Sequence, residues 1–218
     1  MDFGWTSQPS GVAVISEGKL ELVDRIADPD AILDWIQAHC TDAMVAVDAP
    51  TRIRNAKGMR LCEKQAHSRF GKYDAGCYPS NLGSVFAART TGLGDALERA
   101  GFVHAPTIEA GNPGRYQIEC FPHIACVQFF SLDRVIKYKK GLRAERYAEL
   151  TRFRRLLQSL VETTLPDIPQ TGNLKPVEDM LDAVLCALIG KWWWDYGLEK
   201  SDVLGDPEEG YIIAPHRL

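Results

Sequence analysis

Five consecutive apolar residues, Ala43-Met44-Val45-Ala46-Val47, run directly into Asp48-Ala49-Pro50. A run of that length with apolar side chains on both faces reads as a buried strand, covered from both sides. It predicts a sheet flanked by helices, with Asp48 carried at the C-terminal end of an interior strand. An acid delivered to such a place has a reason to be there, and the rest of the chain is best read around it.

Upstream, Gly11-Val12-Ala13-Val14-Ile15 is a second apolar run, and Glu17-Gly18-Lys19 turns the chain into a strand where Leu20, Leu22 and Ile26 alternate with polar residues. Asp28-Pro29 opens a helix with Ile32, Leu33, Trp35 and Ile36 on its apolar face. Downstream, residues 51–115 are rich in Arg, Lys and Gly and read as a basic helical insertion. Helices are expected over Arg60–Phe70 and Leu82–Ala100, and Asn112-Pro113-Gly114 closes the segment. Tyr116 to Phe121 is a strand, and Pro122 suits the first turn of the helix that follows. A long helix is expected from Arg143 to Glu162, and a last one from near Pro176 into Trp192-Trp193-Trp194. The tail Gly210–Pro215 is a strand or a packed extended segment. The order implies one domain over residues 1–218, a mixed sheet flanked by helices.

Composition sets limits on partners. A net charge of −4 over 218 residues argues against a surface built wholly for nucleic acid, while leaving room for a local basic patch. The longest apolar stretch, Met180 to Trp194, is broken by Asp182 and Lys191 and is too short for a bilayer, so no membrane partner is expected. The chain opens with no basic and apolar leader pattern, which points to the cytoplasm. The six cysteines form no Cys-x-x-Cys pair, so reduced thiols rather than zinc are expected.

Four acids stand out by position: Asp2 at the start of the first strand, Asp48, Glu119 in the strand before Pro122, and Asp182 in a nearly all-apolar helix. At ~100° per residue, Cys186, Ile189 and Trp193 fall within about 40° of Asp182, so this acid points into protein. A buried carboxylate needs a pairing cation or a metal. Asp179 lies one turn earlier on the same side, although it and Glu178 also fall in the first helical turn, where acids complement the dipole. Each acid has a plainer reading: a turn for Asp48, an arginine partner for Glu119, a buried salt bridge for Asp182. Convergence would instead suit Mg²⁺ or Mn²⁺, which favour oxygen ligands, and two such ions can activate water against a phosphodiester.

These pieces, taken in order, resemble domain-of-unknown-function family 429, a family of predicted ribonuclease H-like nucleases. The resemblance rests on Asp2-Phe3-Gly4-Trp5, Pro9-Ser10-Gly11, Val47-Asp48-Ala49-Pro50 and Arg60-x-Cys62-Glu63. It continues through Ile118-Glu119-Cys120-Phe121-Pro122-His123, Lys137-Tyr138-Lys139-Lys140-Gly141 and Asp179-x-x-Asp182-Ala183. It implies a ribonuclease H-like mixed five-stranded sheet, the helical insertion following the fourth strand. It also implies metal ligands at Asp2, Asp48, Asp179 and Asp182, with Glu119 on the fifth strand flanking them. Only Met1 precedes Asp2, where the family's first strand has several apolar residues, so either the chain starts further upstream or this strand is truncated.

The expected activity is divalent-metal-dependent phosphodiester hydrolysis of nucleic acid by a two-metal carboxylate mechanism, with Asp2, Asp48, Glu119 and Asp182 as the catalytic acids. Two basic groups are candidates for the phosphates: Arg52, Arg54 and Arg60 just after Asp48, and Lys137, Lys139 and Lys140 further on. The competing reading of both is a solvated, ion-paired surface. Two other functions compete. A non-catalytic module binding nucleic acid or protein would keep the fold without turnover. An actin-like ATP-dependent phosphotransferase would share the sheet but want glycine-rich phosphate loops, and none is present.

Overall fold

The computed structural model describes residues 1–6 and 9–218. Strands β1 (Ser10–Ser16) and β2 (Lys19–Ile26) form an antiparallel hairpin. Its turn places Glu17 and Gly18 both at positive φ, the backbone that matches strand twist in a two-residue hairpin. Helix α1 (Ala31–His39) leads to β3 (Ala43–Val47). Helices α2 (Leu61–Phe70) and α3 (Ala87–Arg99) follow, then the two-residue β4 (Val103–His104) and β5 (Arg115–Glu119). Helices α4 (Pro122–Phe129), α5 (Arg143–Gln158) and α6 (Lys175–Tyr196) precede a final antiparallel hairpin, β6 (Ser201–Asp206) and β7 (Gly210–Pro215).

The central sheet is parallel, in the order β3-β5-β4. Side chains alternate across β3. Ala46 packs into the larger core with α4, α5 and α6, while Val45 and Val47 pack into a second core with α1 and α3. Burial on both faces is what the unbroken apolar run requires. A third core joins α2 to β6, β7 and α4. No helix among the described residues is long and apolar enough to cross a membrane. All six cysteines are free thiols.

The expected single five-stranded sheet does not form as one ladder; the strands fall into sheets of two, three and two. Among the described residues the sheets meet only through isolated bridges: Cys120 with Ile213 between the central sheet and β7, and residues 1–3 between the central sheet and the first hairpin. Asp2 and Gly11 exchange backbone bonds of 3.0 and 2.9 Å, antiparallel. On the other side the Met1 nitrogen donates to the Ala46 carbonyl at 2.7 Å, and the Asp48 amide donates to the Met1 carbonyl at 3.0 Å. Beyond Met1, β1 and β3 are separated by a cleft of about 430 Å³, lined by Val12 to Glu17 and by Ala43 to Ala46.

Candidate functional site

The segment that stitches the two sheets also brings acids together. Its bonds to Gly11 and Asp48 hold Asp2 beside Asp48, at the C-terminal end of β3. Trp5 donates its indole N–H to the Asp48 carbonyl at 2.9 Å, and Arg89 donates to the Gly4 carbonyl at 2.8 Å, fixing the path of the chain past the site. Helix α6 lies directly on β1 because residue 11 is glycine: a Cβ there would stand 2.1 Å from the Asp179 carbonyl oxygen. That close approach delivers Asp182 to the same neighbourhood. Asp182 is fully buried with Cys186, Ile189 and Trp193, as the helical stripe predicts.

The three carboxylates act on one another. Burial pushes Asp2 well above the ordinary carboxylate range, and the Asp182 and Asp48 charges push further while Lys139 and Lys175 oppose them. Asp48 is pushed up to about 6, again by burial first, with Lys139 lowering and Asp182 raising it. Burial leads in both cases, and the mutual repulsion of the carboxylates adds to it.

The fully buried acids are each paired with a cation, some of them shared. The Glu119 carboxylate accepts two bonds from the Arg60 guanidinium, at 2.6 and 2.8 Å. The same arginine bonds Glu63 at 2.8 Å and the Arg52 carbonyl at 2.9 Å. Burial still raises Glu119 to about 7, against the opposing pull of Arg60. Asp179 faces Arg25 of β2 at 2.9 Å and Lys175 at 2.6 Å. Glu178 meets Arg146 and Lys175, each at 3.2 Å. Asp182 accepts the Tyr138 hydroxyl on Oδ1, and its Oδ2 lies 2.9 Å from the Lys139 ammonium. Among the described residues, Asp2 and Asp48 form no ion pair of their own.

The structure thus brings Asp2, Asp48 and Asp182 together, and places Asp179 and Glu119 in separate ion pairs. The basic candidates divide as well. Arg60 is buried against Glu119 and Glu63. Arg52 donates to the Pro207 carbonyl at 2.6 Å and pairs with Glu98 at 3.2 Å. Lys137 pairs with Asp74 at 3.1 Å on the surface. Arg54 and Lys140 are exposed, and Lys139 belongs to the acid cluster itself.

Three further neighbours surround the cluster, of which His123 stands out in the sequence just after Glu119-x-x-Pro122. Tyr138, stacked on Phe153 at 4.8 Å, is a buried hydroxyl donor; nothing in its sequence surroundings marks it as more than an aromatic. Lys175 could have been found from its i,i+4 spacing to Asp179. His123, whose pKa burial lowers to about 4 with Lys139 lowering it further and Asp182 opposing, is a neutral imidazole near the cluster.

Oxygen donors of this kind have the chemistry a hard cation such as Mg²⁺ or Mn²⁺ prefers. Yet among the described residues no three acid, histidine or cysteine side chains converge as a ready ligand set. Carboxylate chemistry suits such an ion, and the Lys139 ammonium lies 2.9 Å from Asp182 within the same cluster.

The fold and site define a mixed α/β protein with an acid cluster at the end of a parallel strand. A family model described as protein of unknown function, DUF429, matches residues 1–209, and the chain belongs to that family. No curated protein and no solved structure matches it.

Proposed function

We propose that this protein is a divalent-metal-dependent phosphodiesterase acting on nucleic acid, built on a ribonuclease H-like plan. The observation that carries the reading is the charge deficit at Asp2 and Asp48. Two acids held against a third in a partly dehydrated site, with no ion pair of their own, are stabilised by a bound cation. Support for the plan comes from residues 1–3, which bridge β1 and β3 and so put one acid on a first-strand segment, one after the next parallel strand and one on the last long helix.

Asp2, Asp48 and Asp182 are the residues that would hold Mg²⁺ or Mn²⁺. Such an ion supplies Lewis-acid activation of water and charge stabilisation at a phosphate. The chain's own residues do the rest. Tyr138 fixes the orientation of Asp182, Trp5 fixes the backbone at Asp48, and His123 is a neutral imidazole able to accept a hydrogen bond. Arg54 and Lys140 are exposed cations free to meet a phosphate backbone. Arg54, within the basic insertion over residues 51–115, would help position that backbone.

A second reading, a non-catalytic binding module, is favoured by one observation: Asp182 already accepts the Tyr138 hydroxyl and lies against the Lys139 ammonium. One experiment separates the two. Wild type, Asp48→Asn and Asp182→Asn are assayed for cleavage of labelled single- and double-stranded DNA and RNA with Mn²⁺ or Mg²⁺, alongside thermal shifts with each ion. The nuclease reading expects cleavage that both substitutions reduce by about 100-fold or more. Nucleic-acid binding without cleavage supports the binding module. Cleavage unaffected by either substitution overturns the assignment of the site.

A further inference from the structure

Two adjacent residues hold the two oxygens of one buried carboxylate. Tyr138 donates to Asp182 Oδ1, and the Lys139 ammonium sits 2.9 Å from Asp182 Oδ2. Their surroundings differ. Tyr138 is 4 % exposed and stacked on Phe153, so its hydroxyl is fixed in place. The Lys139 side chain is 37 % exposed, on a flexible four-carbon stem that reaches solvent. One oxygen of Asp182 is therefore held permanently and the other reversibly. The ammonium is also within electrostatic reach of Asp2 and Asp48. It is a cation placed among three carboxylates that otherwise repel.

We propose that Lys139 is a tethered counter-cation that occupies the metal's place at Asp182 Oδ2 and competes with a divalent ion for it. The proposal rests on the metal-site reading above. While the lysine stays, its charge lies against Asp182 Oδ2, an oxygen that no hydrogen bond satisfies. A divalent ion that takes Oδ2 meets the repulsion of that ammonium, so the lysine weakens metal affinity. Displacement costs little structurally, because the ammonium has only to swing outward along its own stem. It then stands as a free cation at the rim of the site. Tyr138 cannot act in this way, since its ring is fixed against Phe153 and its hydroxyl carries no charge. The substrate-binding part assigned to Lys139 from its sequence belongs, on this view, to the metal-loaded state alone.

Calorimetric titration of Mn²⁺ into the full chain tests this directly, with no substrate present. Wild type is compared with Lys139→Met, Lys139→Gln, Lys139→Arg and Asp182→Asn, each checked for a native circular dichroism spectrum and a cooperative melt. Two neutral replacements are used so that one misfolded variant does not decide the matter. Removing one competing unit charge from an oxygen at contact distance is expected to tighten Mn²⁺ binding at least about tenfold in the Met and Gln variants. Arg, which keeps the charge, stays close to wild type, and Asp182→Asn abolishes the tight site. Binding by Met or Gln where wild type shows none supports the proposal in its strongest form. If wild type binds Mn²⁺ and neither neutral variant binds tighter, the competition is overturned while the metal site stands. An arginine variant as tight as the neutral ones overturns it too. Absence of binding in every variant overturns the metal reading and the competition together.

Discussion

Replacing Arg60 by Met gives the sharpest test of how Glu119 is used. The guanidinium makes four bonds: two to Glu119, one to Glu63 and one to the Arg52 carbonyl. Glu63 keeps backbone donors from Arg60 and Ser80 at 2.9 and 3.0 Å, and a methionine retains the first of them. Both buried acids lose their cation, and Glu119, 3 % exposed, loses two of the four bonds. Breaking a buried pair from one side costs about 3–5 kcal/mol. Because Glu119 is already raised to about 7, it can take up a proton near neutral pH, which limits the penalty toward the lower end. At roughly 2–4 °C per kcal/mol for a chain of this size, Tm falls by about 6–20 °C. Urea denaturation and thermal melts followed by circular dichroism read both quantities. Glu119→Gln in the Arg60→Met background removes the orphaned charge, so the double variant loses less than the two singles together, with a coupling of at least ~1 kcal/mol. A single-variant loss below about 1 kcal/mol, or strict additivity, refutes the reasoning, since surface pairs behave that way. Glu119 would then be free to serve a ligand.

Two further perturbations probe the cluster. In metal-free buffer, Asp48→Asn is expected to raise stability relative to wild type at pH 8 and not near pH 3. The Asp48 carboxyl titrates at about 6 in the fold against 3.8 for the free group, so its contribution is fully present below the lower value and lost as pH rises through the higher one. The gain at pH 8 is on the order of 1–3 kcal/mol after discounting for partial exposure, and an equal effect at both pH values would show the shift to be absent. Gly11→Ala forces a methyl to within 2.1 Å of the Asp179 carbonyl oxygen, where a helix backbone cannot yield cheaply. It is expected to cost about 1–3 kcal/mol or more. Gly190→Ala, whose Cβ meets the Ala46 methyl at 3.2 Å, should cost less. Equal Tm values for the two variants would mean that β1 and α6 are not locked together at residue 11.

Local patterns were legible because local physics sets them. The Glu17-Gly18 turn, the β3 run, Pro122 at the start of α4 and the Asp182 stripe all follow from spacing alone. What escaped depends on partners distant in sequence. Strand β6 reads Ser-Asp-Val-Leu-Gly-Asp, with weak alternation, and exists because β7 pairs with it. Helix α3 begins at Ala87 rather than Leu82 because Asn81 and Ser84 bond the intervening backbone into a turn. The sheet divides because its parts meet through isolated bridges rather than ladders.

The acids show the same limit in sharper form. Asp179 and Asp182 lie on the same side of one helix, and by spacing they are equivalent. Their fates differ because β2 supplies Arg25 to the first and the 136–140 segment supplies Lys139 to the second. Counting carboxylates therefore does not locate the site; counting their cations does. Glu63 and Glu119 share Arg60, Glu178 has Arg146, Asp179 has Arg25, and Lys175 serves both of the last two. Once these are assigned, the acids of the cluster left without an ion pair among the described residues are Asp2 and Asp48, which feel Lys139, Lys175 and, at Asp48, the Met1 ammonium only at longer range. A structural ion-pair network has no need to leave a deficit at that one point. The proposed cation site would account for it, because full neutralisation by the chain's own side chains would leave a divalent ion nothing to bind.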